Sequence, residues 1–185
     1  QIPYQKREQR VRQFASQEEI ERIINALDNP KHKLIISLLY ASGVRVSELI
    51  SLKIEDIDLE KHLLKVRQGK GNKDRYTILS LKVIQQIKEY LNTKQQSQYL
   101  FPSSKSHITV RTVEEILKQA CRKANITTPL TPHSLRHSFA THHMEHGTKT
   151  EYIQQMLGHK DIRTTRIYEH ISTKHLEKIK SPQDI

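Results

Sequence analysis

"LLKVRQGKGNKDRYTIL", residues 63 to 79, is where the hydrophobic pattern of this chain changes period. Leu64 and Val66 alternate with Lys65 and Arg67, "GKGN" makes a turn, and "DRYTIL" resumes an extended run. The spacing predicts a small antiparallel hairpin or three-stranded sheet between about Asp56 and Leu81.

On both sides the apolar residues recur by threes and fours instead. Upstream, Ser16 followed by Glu19 has the spacing of a capping box, and Ile20, Ile23, Ile24 and Leu27 mark one helical face that Asn29-Pro30 ends. A second apolar helix runs through Leu34, Leu38 and Leu39 to a break at Ser42-Gly43, and "RVSELISL" starts a third, which puts Arg45 near a helix start. Downstream, helices are expected over about 80–91, 110–124, 132–146, 150–157, 161–171 and 173–180. The expected fold class is mainly α with a small antiparallel β-sheet, an α+β domain.

A chain of 185 residues is read as one domain with one substantial core. Lysine and arginine number 31 against 20 acidic residues, a formal charge of +11 that favours a polyanionic partner. The apolar run from Leu34 to Ala41 is too short to span a bilayer, and no secretory leader opens the chain, so no membrane partner and a cytoplasmic location are expected. The single Cys121 lies on an apolar helical face with Val113, Ile116, Leu117, Ala120 and Ala124, which reads as a buried core thiol and excludes a disulfide within the chain. The opening "QIPYQKREQRVRQF" has charges without periodicity and reads as a solvated arm or linker, or as a frayed terminus.

Eight of the eleven histidines fall between His133 and His175, which directs the search for chemistry to the last third. In "TPHSLRHSFA" Thr131 can cap a helix whose first position is Pro132, and His133 and Arg136 then share a face near its positive end. Free N–H groups and a two-pronged guanidinium there suit a phosphate. In "GHKDIRTTRIYEHI", residues 158 to 171, Leu157-Gly158 stops a helix, His159 emerges on a loop, and Tyr168 follows among arginines and threonines. A phenol with a pKa of about 10 becomes a useful nucleophile only when a base takes its proton and cations stabilise the charge on a phosphoryl group. Lys70 sits in the "GKGNK" turn, where an ammonium could supply a proton or a charge; the full P-loop pattern is missing. "HHMEHG" offers His142 and His146 at a spacing that can bind a metal, but a metalloprotease helix needs glutamate where His143 stands, and a surface or packing role is the reading adopted.

Taken in order, "SGVRVSEL", "GKGNKDR", "HSLRHSFATH" and "LGHKDIRTTRIY" resemble the signature of the tyrosine recombinases, the integrase and Xer-type family, from about Ser16 to about Lys180. The resemblance implies that family's catalytic-domain fold, with 16–172 as the catalytic domain, 1–15 as a linker from an N-terminal DNA-clamping domain, and 173–185 as a C-terminal helix or tail. The family's catalytic set carries over onto Arg45, Lys70, His133, Arg136, His159 and Tyr168. By that resemblance Tyr168 attacks a DNA phosphodiester and forms a 3'-phosphotyrosyl link, releasing a 5'-hydroxyl. Arg45 and Arg136 bind the non-bridging oxygens, His159 adds a hydrogen bond, and Lys70 protonates the leaving oxygen. His133 assists proton transfer or orders the site, and Glu48 and His137 fit as supports or as ordinary structural residues. Lys73, Arg75, Arg163 and Arg166 are expected to touch the DNA backbone.

The covalent link conserves the phosphodiester's energy, so the resemblance implies no cofactor, neither ATP nor a metal. It also implies a double-stranded DNA recombination site, a homo-oligomer on DNA with a dimer per site and a tetramer in synapsis, and a place at the nucleoid. The tail either docks onto a neighbouring protomer or folds back onto its own domain. Competing functions are a type IB topoisomerase, a DNA-binding regulator that no longer cleaves, and a basic RNA-binding module.

Overall fold

The computed structural model describes residues 14–68, 73–128, 130–158 and 176–185. Helix α1 (Gln17–Asn25) starts where the capping box was expected: Ser16 Oγ accepts from the Glu19 N–H at 3.1 Å, and the Glu19 carboxylate accepts from the Ser16 N–H at 2.8 Å. Helix α2 (Pro30–Ser42) begins at Asn29, whose side chain accepts from the N–H groups of Lys31 and His32, with Pro30 at the first helical position. Every residue from Leu34 to Ser42 is buried. A helix that is buried all round belongs at the centre of the domain, and α2 touches α1 and the later helices α4 (Leu81–Thr93), α5 (Val110–Lys123) and α6 (Pro132–Glu145).

Gly43 ends α2 in the left-handed conformation at φ 67°. A Cβ there would lie 2.5 Å from Phe139 Cδ1, so both the backbone angle and the packing call for glycine. The short helix α3 (Val46–Ile50) follows, with Arg45 as its N-cap residue.

The change of period does produce a sheet. Strands β1 (Ile57–Asp58), β2 (Leu63–Val66) and β3 (Arg75–Ile78) pair antiparallel in the order β1-β2-β3, with Val66 opposite Arg75 and Leu64 opposite Thr77. Along β3, Arg75, Thr77 and Ile78 are buried while Tyr76 is exposed, so the strand is covered on one face throughout and on both faces at its end. Helices α4 (Leu81–Thr93), α5 (Val110–Lys123), α6 (Pro132–Glu145) and α7 (Thr150–Leu157) complete the described domain. Cys121 is a free, buried thiol on the inner face of α5, as read from the sequence, and burial pushes its pKa up.

The expected helix over 161–171 lies outside the described residues, as do 1–13 and the first three residues of the expected helix over 173–180. What is described of the latter differs from expectation: Leu176 is buried, but the chain then turns and ends in a 3-10 turn, Pro182–Asp184, capped by Ser181. Residues 176–185 pack on their own chain. Gln17 Nε2 donates to the Pro182 carbonyl at 2.8 Å, Ser80 bonds the Gln183 side chain, and the Leu81 N–H at the start of α4 donates to Asp184 at 2.9 Å. No described helix is long and apolar enough to cross a membrane.

His142 and His143, near the end of α6, are packing residues. His142 Nδ1 bonds the Tyr40 hydroxyl at 2.8 Å, His146 Nδ1 lies 2.7 Å from the His142 carbonyl, and no group of three potential metal ligands assembles among the described residues. His143 is fully buried, edge-on to Phe139 at 4.4 Å, with Nδ1 on the Thr148 hydroxyl and no described partner for Nε2. Burial, then the neighbouring His146 and His142, push its pKa down to about 4 from an ordinary 6.5. Folded His143 therefore stays neutral where the unfolded chain takes up a proton, so its contribution is full above pH 6.5 and is lost as pH falls toward 4. Denaturant titrations should show the parent losing about 2 kcal/mol more stability than His143→Leu between about pH 7 and about pH 5. Parallel losses in the two proteins would refute this.

Candidate active site

Two helix ends meet beside β3, and helix ends leave carbonyls without intrahelical donors. At the end of α2 the Ser42 carbonyl accepts from the Thr77 hydroxyl at 2.6 Å, and the Gly43 carbonyl accepts from Arg136 Nη1 at 2.6 Å. At the end of α7 the Met156 carbonyl accepts from Arg75 Nε at 2.7 Å, and the Leu157 carbonyl accepts from Arg136 Nη2 at 2.6 Å. Cations also suit the negative end of a helix. Arg136 thus bridges the two helix ends, which fixes its guanidinium.

Arg136 stands one turn into α6, whose start is set by Thr131 and Ser134: the Ser134 N–H donates to the Thr131 hydroxyl at 3.3 Å, and the Thr131 N–H to the Ser134 hydroxyl at 3.0 Å. His133 is exposed whereas Arg136 is 6% exposed, so the two residues expected on one face differ in depth. The long arginine side chain turns inward to the carbonyls. His137 is exposed on the same helix and stacks on Phe14 at 5.8 Å, while the Ala15 N–H donates to the Ser138 hydroxyl at 2.9 Å, so α6 also receives the entering chain.

Arg45 projects from the N-cap of α3 with its side chain 45% exposed. Glu48 lies beneath it. Its carboxylate accepts from the Arg45 N–H at 2.7 Å, lies 3.7 Å from Arg45 Nη1, and takes both prongs of Arg75, Nη1 at 2.5 Å and Nη2 at 2.9 Å. Gln68 Nε2 reaches the same carboxylate at 3.4 Å. Burial pushes the Glu48 carboxyl up, but the hydrogen bonds and charge of Arg75, followed by those of Arg45, outweigh it and hold the pKa below the ordinary range.

Three guanidinium groups, Arg45, Arg75 and Arg136, therefore share one carboxylate among the described residues. Burial first, and then the charges of Arg45 and Arg75, push the Arg136 pKa down to about 10 against the pull of Glu48. The cluster is short of negative charge. An anion beside Arg45 and Arg136 would relieve that repulsion, and a tetrahedral phosphoryl group has the oxygens for two guanidinium donors.

Of the residues expected in the site, the structure brings Arg45 and Arg136 together and places exposed His133 at the start of α6. Lys73 is exposed just before β3. Lys70, His159, Tyr168, Arg163 and Arg166 lie outside the described residues. Arg75 requires correction: it was expected on the DNA backbone, but it is 8% exposed and its donors are engaged with Glu48 and Met156. The strand pattern gave no signal of this, because polar Arg75 and Thr77 alternate with Tyr76 and Ile78, yet Arg75 and Thr77 are buried. Nothing in the pattern announced that backbone carbonyls of Gly43 and Leu157 orient Arg136.

The profile of the Phage integrase family matches residues 13–175. Tyrosine recombinase XerA of Pyrococcus horikoshii is 44% identical over 166 residues, which cover 87% of this chain and 58% of that protein. Tyrosine recombinase XerD of Staphylococcus saprophyticus is 39% identical over 177 residues, covering 87% and 60%. The crystal structure of XerA recombinase superposes with a TM-score of 0.75 at 36% identity, over 89% of this chain and 62% of that one. That of XerH site-specific recombinase bound to its difH substrate, a pre-cleavage complex, superposes with a TM-score of 0.71 at 27% identity, over 91% and 53%. The chain spans about three fifths of the length of the curated relatives it matches. The fold, the paired arginines and these matches agree: this chain belongs to the phage integrase family, the tyrosine recombinases.

Proposed function

We propose that this chain carries the catalytic part of a site-specific DNA recombinase that cleaves and rejoins strands through a 3'-phosphotyrosyl intermediate. The observation that carries the reading is the arginine cluster short of an anion, built on a chain of this family. In this mechanism Arg45 and Arg136 hold the non-bridging oxygens of the scissile phosphate. Tyr168 Oη attacks phosphorus and loses its proton, with His133 assisting; the 5' oxygen leaves and takes a proton from Lys70; His159 adds a hydrogen bond to the phosphoryl oxygens. One P–O bond forms as another breaks, so the link retains the energy needed for rejoining and ATP is not consumed. Attack by the 5'-hydroxyl of a different strand then gives recombination.

The substrate of this reading is a double-stranded recombination site held by a dimer, two such sites forming a tetrameric synapse. The enzyme would work at the nucleoid in the cytoplasm. Residues 173–185 are a candidate for exchange between protomers, for which the described part would have to leave the contacts with Gln17, Ser80 and Leu81. Lys73, Arg163 and Arg166 remain candidates for DNA backbone contacts.

On a nicked duplex carrying a cognate site, this chain should form a denaturant-resistant protein–DNA band that Tyr168→Phe abolishes. No band from the parent, or a band that survives in the variant, would contradict the assignment. The two phosphate-holding arginines should also separate by stability. Arg45→Ala slows cleavage about a hundred- to a thousandfold and leaves stability within about 0.5 kcal/mol, because its side chain is half exposed. Arg136→Ala loses cleavage and also about 2–4 kcal/mol of stability, because the Gly43 and Leu157 carbonyls lose their donors. Thermal unfolding beside a single-turnover cleavage assay reads both, and equal stability losses would count against the geometry.

A further inference from the structure

Arg75 has no assigned role in the chemistry, yet it is the most fully engaged cation of the cluster. Its side chain is 7% exposed, both terminal nitrogens grip the Glu48 carboxylate, and Nε holds the Met156 carbonyl. The chain leaving α7 presses on its shaft, since a Cβ on Gly158 would lie 2.8 Å from Arg75 Cδ. Gly158 is left-handed at φ 66°, so a side chain there would be strained as well as crowded.

Each partner of Arg75 belongs to a different arm of the site. Glu48 fixes the Arg45 backbone N–H and neighbours its guanidinium. Lys70 stands in the chain between β2 and β3, and the described residues on either side are tied to the same place: Gln68 reaches Glu48, the Gln68 N–H donates to Asp74 at 3.0 Å, and Arg75 follows Asp74. Met156 lies in the last turn of α7, three residues before His159 in the chain. Arg75 is where the three arms meet.

We propose that Arg75 is a positioning residue for strand cleavage, which ties Arg45, through Glu48, to the end of α7 and so sets the spacing of the groups around the phosphate without touching DNA. The inference rests on the cleavage reading above. It requires arginine and not only a positive charge, because a planar fork can grip both carboxylate oxygens while Nε serves a carbonyl at its side, whereas an ammonium is a point donor. Misplacement of a phosphate-binding group by about 1 Å costs on the order of a hundredfold in rate.

The test is Arg75→Lys, which keeps the charge and removes the fork. Three quantities are read: thermal unfolding, affinity for the cognate duplex, and the single-turnover rate of adduct formation with DNA in excess. The expected result is a folded variant that binds DNA within about twofold of the parent but forms the adduct about 10–100-fold more slowly. The penalty should shrink in an Arg45→Ala background, because one of the groups that Arg75 places is already gone. Glu48→Gln, which keeps the side-chain shape and weakens the grip on the fork, gives the same slow cleavage at unchanged affinity and serves should Arg75→Lys not fold. Adduct formation at the parental rate by these variants overturns the inference and leaves the cleavage reading standing. Loss of affinity that accounts for the whole loss of rate overturns it too, by making Arg75 a DNA contact. A parent that forms no adduct overturns both readings.

Discussion

The site depends on how the carbonyls of two helix ends are satisfied. Helices α2 and α7 both end at left-handed glycines, Gly43 and Gly158, and each end leaves carbonyls without intrahelical donors. Thr77, Arg75 and Arg136 supply the donors from β3 and α6. A purely apolar contact could hold these helices together, but it would leave buried carbonyls unpaired at a cost of about 1–3 kcal/mol each. Using arginine solves the hydrogen-bonding problem and places fixed positive charge at the same point.

That charge is then left incompletely balanced. Glu48 can neutralise one guanidinium, and its geometry favours Arg75, whose two prongs it accepts, over Arg45, which it meets only at 3.7 Å. Arg136 has two of its nitrogens committed to backbone carbonyls, which carry no charge. Neutral acceptors orient it without cancelling its charge. The fold thus spends one arginine on structure and leaves Arg45 and Arg136 with charge to offer, an arrangement preorganised for a phosphoryl group whose charge grows as it reacts.

Much of this was legible in the sequence because local rules agreed with the fold. Ser16 with Glu19, Asn29-Pro30, Gly43 and Leu157-Gly158 bound their helices where capping chemistry says they should, and the alternation at Leu64 and Val66 located the sheet. The four motifs in order carried the family. What was not legible is long-range or made by backbone. The i,i+3 spacing of His133 and Arg136 gives a common face but not the inward turn of Arg136, which is decided by carbonyls far away in sequence. Basic character alone assigned Arg75 to DNA, whereas its place inside goes with partners far away in sequence, Glu48 and the Met156 carbonyl. The expected helix over 173–180 had suitable apolar spacing, but its described part is helical only at Leu176 and then turns.

The central claim is that Arg45 and Arg136 exist to meet the negative charge of a scissile phosphate, and replacing a charged non-bridging oxygen by methyl tests it. Single-turnover cleavage by the parent and by Arg45→Ala should be compared on the native duplex and on one with a neutral methylphosphonate at the scissile position. If Arg45 acts by neutralising charge, the penalty for its loss shrinks by about tenfold or more on the neutral linkage. An equal penalty on both substrates would contradict the account and make Arg45 a structural residue.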